Sequence, residues 1–203
     1  KLLGIDPWLI NPMSSHAEGL DLDAPSSQDE LITHCDQLLT RIRRKYKEYG
    51  INEKPFVIVK PDNGTNGVGV VTVRDIKELE SMLQAKPKPG CRSASALLGG
   101  EVIVQEGVLT RERVHDGVAE PVVYMMDRYV VGGFYRVHAG RAIDENLDSP
   151  GASFVPLAFS ESAHLPVPGA KPGASAPNRF HMYGRVGRLA MVAARYELEA
   201  TRP

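Results

Sequence analysis

The sequence is poor in the features that mark several protein classes. Its 203 residues include two cysteines and one tryptophan, and aromatic residues make up 6%. Cys35 falls in a predicted helix and Cys91 in a predicted loop, so the chain does not read as a disulfide scaffold, and a reducing cytoplasm is the expected setting. No apolar run approaches the roughly 20 residues that span a bilayer, and no signal-peptide pattern stands at the start. An excess of either charge is also missing: 24 basic residues face 25 acidic ones, a net charge of −1. That balance argues against nucleic acid or an anionic membrane as the main partner. The six histidines, at 16, 34, 115, 138, 164 and 181, lack the spacing of a zinc site. No internal repeat is visible. What remains is an ordinary globular composition, 42% hydrophobic and 24% charged, long enough for one large domain or two small ones.

Residues 1–26 read as an extended lead-in, because Pro7, Pro12 and Pro25 prevent a long helix. A helix is predicted from Ser27 to Tyr49. Ser27 and Glu30 have capping-box spacing, and Leu31, Cys35, Leu38, Ile42, Tyr46 and Tyr49 share one face. Arg41, Arg44, Lys45 and Lys47 make the opposite face a solvated one. Phe56 to Lys60 is a short apolar run and hence a buried strand. Residues 62–67 read as a turn and Val68 to Val73 as a second strand with Gly69 inside it, so 56–73 forms a hairpin-like pair. A short helix follows from Asp75 to Leu83, then a loop over 85–100.

The second half is strand-rich, with Val102 to Glu106, Val122 to Met126 and Tyr129 to Val137 as strands. Asp127-Arg128 is the turn of a hairpin. Residues 138–153 and 160–177 read as loops. A last helix runs from Asn178 to Glu199, with Met182, Val186, Leu189, Ala193 and Tyr196 along its inner face. The fold class is α+β, with mostly antiparallel strands and packed helices. The division expected is 1–100 and 101–203.

The chemistry concentrates in Val59-Lys60-Pro61-Asp62-Asn63-Gly64-Thr65-Asn66-Gly67-Val68-Gly69. A lysine at a strand end can reach a phosphate oxygen as a point charge. Glycines at 64, 67 and 69 let the backbone approach a polyphosphate and offer it N–H groups. The segment is no P-loop, since the lysine precedes the glycines, and it lacks the third glycine of a dinucleotide fold. A plain glycine-rich turn with a surface lysine fits the loop alone equally well. Glu101 to Val108 adds a buried strand ending in Gln105-Glu106. Such a strand can offer its backbone to an adenine edge and its acid to a ribose hydroxyl, though by itself it is equally a core strand.

In that order, these elements resemble the ATP-grasp superfamily. More closely, Phe56 to Val73, Val102 to Val108, Ala119 to Asp148 and Asn178 to Glu199 resemble the proteobacterial glutamate–cysteine ligases of the type first recognised in acidophilic iron oxidisers. The most specific parts are Ile5-Asp6-Pro7-Trp8-Leu9-Ile10-Asn11-Pro12 and Gly132-Gly133-Phe134-Tyr135-Arg136-Val137-His138. The resemblance covers nearly all of the chain outside the loops at 85–100 and 161–177. It implies an ATP-grasp-like fold and ATP-dependent coupling of the glutamate side-chain carboxylate to the amine of cysteine. It also implies that Lys60, Asn63, Gly64, Thr65, Gly67 and Gly69 meet the ATP phosphates, and that Gln105, Glu106, Gly107 and Val108 hold adenine and ribose. Arg136 resembles a substrate-facing arginine that steadies an acyl-phosphate or tetrahedral intermediate; the alternative is an ion pair.

Family members are longer at the N-terminus, and this chain opens on Lys1, so a fragment is expected. For Mg²⁺ the family pattern departs here, because its Glu-x-Asn strand pair would follow the last helix. Either Glu145 and Asn146, in the acidic cluster 144–148, are metal or substrate ligands, or this is a plain polar loop and the metal ligands lie outside the chain. A different acceptor amino acid, a nucleotide-binding module inactive by itself, or a glycine-rich β-domain with no ligand stays open beside the ligase. The oligomeric state is not legible.

Overall fold

The computed structural model describes residues 4, 6–63, 68–85, 93, 96, 98–157 and 179–202, with the backbone alone at 179–181. Contacts divide the chain into two compact units, 1–109 with 142–149, and 110–141 with 150–203. The strand Val102–Glu106 belongs to the first of them, so the contact division falls beyond the expected 100/101.

The first unit is a four-stranded antiparallel sheet backed by two helices. Its strands are β1 (Ser14–Ala17), β2 (Val57–Pro61), β3 (Val71–Val73) and β4 (Val102–Glu106), in the order β1-β4-β2-β3. The pairing of β2 with β3 is the expected hairpin. Side chains alternate between the faces of a strand, and the register puts Val57, Val59, Val73, Val102 and Val104 together on one face. That face joins Leu31, Cys35, Leu38, Leu39 and Ile42 of α1 (Pro25–Glu48) in one buried core, with Leu79 of α2 (Ile76–Gln84). Burial pushes the Cys35 thiol up to about 12, which keeps it inert.

Helix α1 starts two residues before the expected Ser27. Pro25 takes the first turn, where a missing N–H is harmless and the fixed φ suits the helix. No side chain caps the start; Ser27 Oγ instead accepts from Asp21 N at 3.2 Å. The helix ends where Gly50 turns left-handed at φ +66, with Ile51 N bonded to Tyr46 O at 2.8 Å. Strand β1 lies in the stretch read as a lead-in. Its Ser-Ser-His-Ala sequence has little strand signature, and pairing with β4 makes it a strand. Gly69 is not inside a strand; it sits in the turn before β3 at φ +79, a conformation that glycine tolerates best.

The segment before β1 is pinned at two points. Asp6 caps a 3₁₀ turn, Pro7–Leu9, by accepting from Trp8 N at 3.0 Å. Its other oxygen accepts from Lys45 Nζ at 2.6 Å and from the Tyr49 hydroxyl at 2.8 Å. The Trp8 ring lies against Tyr46 and Tyr49, with centroids 6.1 and 5.1 Å away.

The second unit is a sheet of β5 (Arg113–Val114), β6 (Gly117–Met126), β7 (Tyr129–His138) and β8 (Ser153–Pro156), antiparallel and in chain order. The β6–β7 hairpin turns at Asp127, φ +52, where the sequence places it. Strand β6 runs five residues further back than expected, through Pro121. Beyond Val118 no β5 partner covers it, so a residue without an N–H is tolerated there. Strand β8 begins inside the predicted loop 138–153.

Helix α3 (Arg179–Ala200) packs against β6 and β7. Its inner face is not the expected one: Met182, Val186, Leu189 and Tyr196 are 50–70% exposed. The contacts come from Tyr183 on Tyr135 and from two glycines. A Cβ on Gly184 would lie 2.9 Å from Val130, and one on Gly187 3.0 Å from Met125. Backbone thus approaches the sheet at the two glycines, beside Tyr183, whereas apolar periodicity alone points to another side.

The Asp6 pin has a pH signature. Lys45 above all, then Trp8 N–H and the Tyr49 hydroxyl, hold the Asp6 carboxyl down from 3.8 to about 2. A carboxyl that ionises more readily in the folded state stabilises it above the unfolded pKa, and this is lost as pH falls through the folded one. The Asp6→Asn variant is expected to melt below the parent at pH 7, with the gap closing between about pH 4 and pH 2. Thermal melts of both proteins across that range check it, and a pH-independent gap would contradict it.

Candidate functional site

The sheet of the first unit has a second face, and the same register defines it. Ile58, Lys60, Thr72, Ile103 and Gln105 lie there, all half-buried, with His16 across from Ile103. Lys60 Nζ donates to Gln105 Oε1 at 2.9 Å, joining the end of β2 to the end of β4. His16 reaches Asp62 at 3.4 Å and Glu18 at 3.2 Å, at the start of the glycine-bearing turn. This face therefore combines a cation, a carboxamide and a hydroxyl with two isoleucines. Such a set suits a flat apolar ring with a polar edge and an anion beside it. Three surface hollows lined by described residues lie along α1 and around Leu20–Asp23.

Of the residues singled out for a nucleotide, Lys60 and Gln105 are brought together. Asn63 is exposed in the turn after β2. Gly64, Thr65 and Gly67 lie outside the described residues. Glu106 stands on the opposite face from Gln105, because neighbours in a strand point apart. Its carboxylate is buried and accepts from the Trp8 indole N–H at 2.8 and 3.0 Å and from Met13 N at 3.0 Å. The carboxylate is therefore held on the helix side of the sheet by structural donors. Gly107 N donates to Phe56 O at 2.9 Å, and a Cβ there would sit 2.0 Å from the Phe56 ring, so glycine is required by packing. Val108 is 67% exposed.

Arg136 belongs to the second unit. It faces Glu120 across the β6–β7 pair, Nη1 to Oε1 at 2.6 Å, and is 22% exposed. Tyr124, Phe134 and Phe154 share its face of the sheet, with ring centroids 5.9 Å apart for Tyr124 and Phe134 and 5.2 Å for Phe134 and Phe154. The ion pair weighed for Arg136 is thus present, and it holds the guanidinium beside an aromatic row.

The acidic segment does not fit a magnesium site. Asp144 pairs with Arg74 at 2.7 Å, which keeps its carboxyl below the usual range. Glu145 accepts from Ala142 N at 2.8 Å. The Asn146 carboxamide folds back on the backbone of Asp148, accepting from its N–H at 2.9 Å. Asp144, Glu145 and Asn146 each have a local partner, and among the described residues no cluster of three His, Cys, Asp or Glu could hold a metal. No helix among them is long and apolar enough to cross a membrane.

The sequence missed His16, Thr72 and Trp8. The first two emerge only from strand register. Trp8 stood in a motif singled out as specific, but its partner is 98 residues away.

The fold is of the mixed α+β class, with two antiparallel sheets and a Lys–Gln pair on the open face of the first. The chain belongs to the glutamate–cysteine ligase family: the family model GshA, glutamate-cysteine ligase, matches residues 1–198. It is similar to a solved protein from Methylobacillus flagellatus KT, described as a putative gamma-glutamylcysteine synthetase, with 47% identity and a TM-score of 0.76. That match covers 99% of this chain and 47% of the other, so the chain spans just under half the length of that relative. No curated protein matches the chain.

The placement of Glu106 can be tested without any ligand. Glu106→Ala leaves the Trp8 and Met13 donors without their acceptor, and unsatisfied buried groups cost about 1–3 kcal/mol each. The expected loss of nucleotide-free stability is about 2–4 kcal/mol in urea unfolding, with Glu106→Gln recovering part of it. Unchanged stability with weakened ATP binding would return Glu106 to the ribose role.

Proposed function

We propose that this chain forms the nucleotide-binding part of an ATP-dependent ligase that joins the glutamate side-chain carboxylate to the amine of cysteine. The observation that carries the reading is the Lys60–Gln105 pair, 2.9 Å apart on the open face of a sheet whose β2–β3 turn bears the glycines. Family membership supports the substrate class. When bound, ATP supplies a phosphoryl group that turns a carboxylate oxygen into a leaving group.

In this reading Lys60 neutralises phosphate charge at the strand end, and the turn at 62–69 offers backbone N–H groups to it. Gln105 holds Lys60 in place and faces the adenine edge, with Ile58 and Ile103 as the apolar floor. The Glu106 side chain has no part in nucleotide contact and instead anchors the strand. Arg136, held by Glu120, is the candidate for steadying negative charge on a reacting acyl group. Magnesium is expected of an ATP-dependent ligase, but Glu145 and Asn146 do not form its donor set, and no step is routed through it. The expected setting is a reducing cytoplasm, with small molecules rather than nucleic acid or membrane as partners.

A second reading has its own support: the chain spans under half of its solved relative, which favours a nucleotide-binding module that does not turn over alone. One experiment separates the two. ADP release with glutamate, with and without cysteine, is measured beside thermal stabilisation by ATP. Cysteine-dependent release supports the ligase, whereas stabilisation without release supports the module. Neither response would overturn both.

Lys60 gives the sharpest test of nucleotide binding. A charge-assisted hydrogen bond is worth about 1.5–3 kcal/mol, so Lys60→Ala is expected to weaken ATP binding by roughly tenfold to a hundredfold. Nucleotide-free melting should barely change, since Lys60 is only half-buried. Lys60→Arg should recover binding in part, because a planar fork does not replace a compact ammonium. Calorimetric titration with ATP measures all three proteins. Parental affinity in the alanine variant would remove the main support for the reading.

A further inference from the structure

Just beyond Lys60 the chain carries an acid on the same face. Residues i and i+2 of a strand point to one side, and Asp62 continues the β2–β4 ladder by donating its N–H to Glu101 O at 3.0 Å. Its backbone stands about 6–7 Å along the strand from that of Lys60, well within reach of a flexible lysine side chain. Yet the two do not take each other as partners. The Asp62 carboxylate lies 3.4 Å from His16 Nε2, and Lys60 Nζ donates to Gln105.

His16 meets Asp62 from two strands away. Both β1 and β2 flank β4, and the register sets His16, Ile103 and Lys60 in one row across the three strands. Ser15 bonds His34 of α1 at 2.6 Å and Ala17 is buried, so His16 between them is committed to the open face. At about 4.8 Å per strand, its backbone is roughly 10 Å from that of Lys60. The other ring nitrogen, Nδ1, stands 3.2 Å from Glu18 Oε1. The imidazole thus lies between a carboxylate of its own strand and that of Asp62.

We infer that His16 is a positioning residue: by holding Asp62 toward β1 it keeps that carboxylate off Lys60 and leaves the ammonium to an anionic ligand. The identity of that ligand rests on the nucleotide reading, whereas the clasp itself rests on geometry alone. A carboxylate paired with Lys60 would have to be displaced before a phosphate could bind, and it would repel the phosphate at close range. Gln105 does neither, since a carboxamide carries no charge. Loss of His16 therefore acts on the ligand through Asp62. The His16 and Asp62 side chains are 43% and 39% exposed, so solvent screens the charges and the effect is a few-fold one.

The test compares the parent, His16→Ala, Asp62→Asn and the double variant in two measurements. The first needs no nucleotide: it is the rate at which limiting acetic anhydride acylates Lys60, read by peptide mass spectrometry. An amine reacts only without its extra proton, and a paired carboxylate holds that proton on. His16→Ala should lower the rate about two- to fivefold, and the double variant should return it to the parental value. The second is calorimetric titration with ATP. His16→Ala should weaken binding about three- to tenfold, and the double variant should recover it. A merely structural role for His16 would leave the double variant as weak as the single one. Unchanged acylation in His16→Ala would overturn the inference, as would a loss that Asp62→Asn does not reverse. Slower acylation with parental ATP affinity would overturn the link to the ligand. A parent that binds no ATP would count against the nucleotide reading, and the acylation rates would still decide the clasp.

Discussion

Strand β4 is hydrogen-bonded on both sides, and its two-residue period constrains everything else in the first unit. A strand in that position cannot slip by one residue without exchanging its faces. Val102 and Val104 must face α1 to close the core, and this commits Glu106 to the same side. Ile103 and Gln105 are left on the other. The core and the candidate nucleotide face are therefore two consequences of one register. A carboxylate on the helix side needs donors, and Trp8 and Met13 bring them from the chain before β1. That explains why the Asp6–Trp8 segment is fixed twice, once to α1 through Lys45 and Tyr49, and once to β4 through Glu106.

Much of this was legible in the residues. The β2–β3 hairpin follows from an apolar run, a turn-rich stretch and a second run. The buried face of α1 follows from its spacing, down to Leu31, Cys35, Leu38 and Ile42. Lys60 and Gln105 were reached from motif order, and they meet. What the sequence hides are partners far away in the chain. Nothing around Glu106 says that an indole is waiting 98 residues upstream. Nothing in Ser14–Ala17 says strand, because its stability comes from β4 rather than from its own residue types.

Helix α3 shows a different limit. Periodicity finds an apolar stripe correctly but cannot say what the stripe faces. Here the glycines at 184 and 187 give the sheet a closer approach than any apolar side chain would, so the face that packs is not the one with the most apolar residues. The Ser27 capping box failed for a related reason. Pro25 is pre-set for a first turn, and once it starts the helix Ser27 lies inside rather than at the boundary.

The distribution of acids bears on function more than their number does. Three described carboxylates are bound by structural donors: Asp6 by Lys45 and Tyr49, Glu106 by Trp8 and Met13, Asp144 by Arg74. Lys60 has a different kind of partner. Its partner is a neutral carboxamide, which orients an ammonium without cancelling its charge. Although the whole chain is nearly neutral, the open face thus keeps a cation whose charge is not offset by a hydrogen-bonded acid. A single ammonium does not balance a triphosphate. The proposed nucleotide therefore needs positive partners beyond Lys60, of the kind that backbone N–H groups and a divalent cation supply.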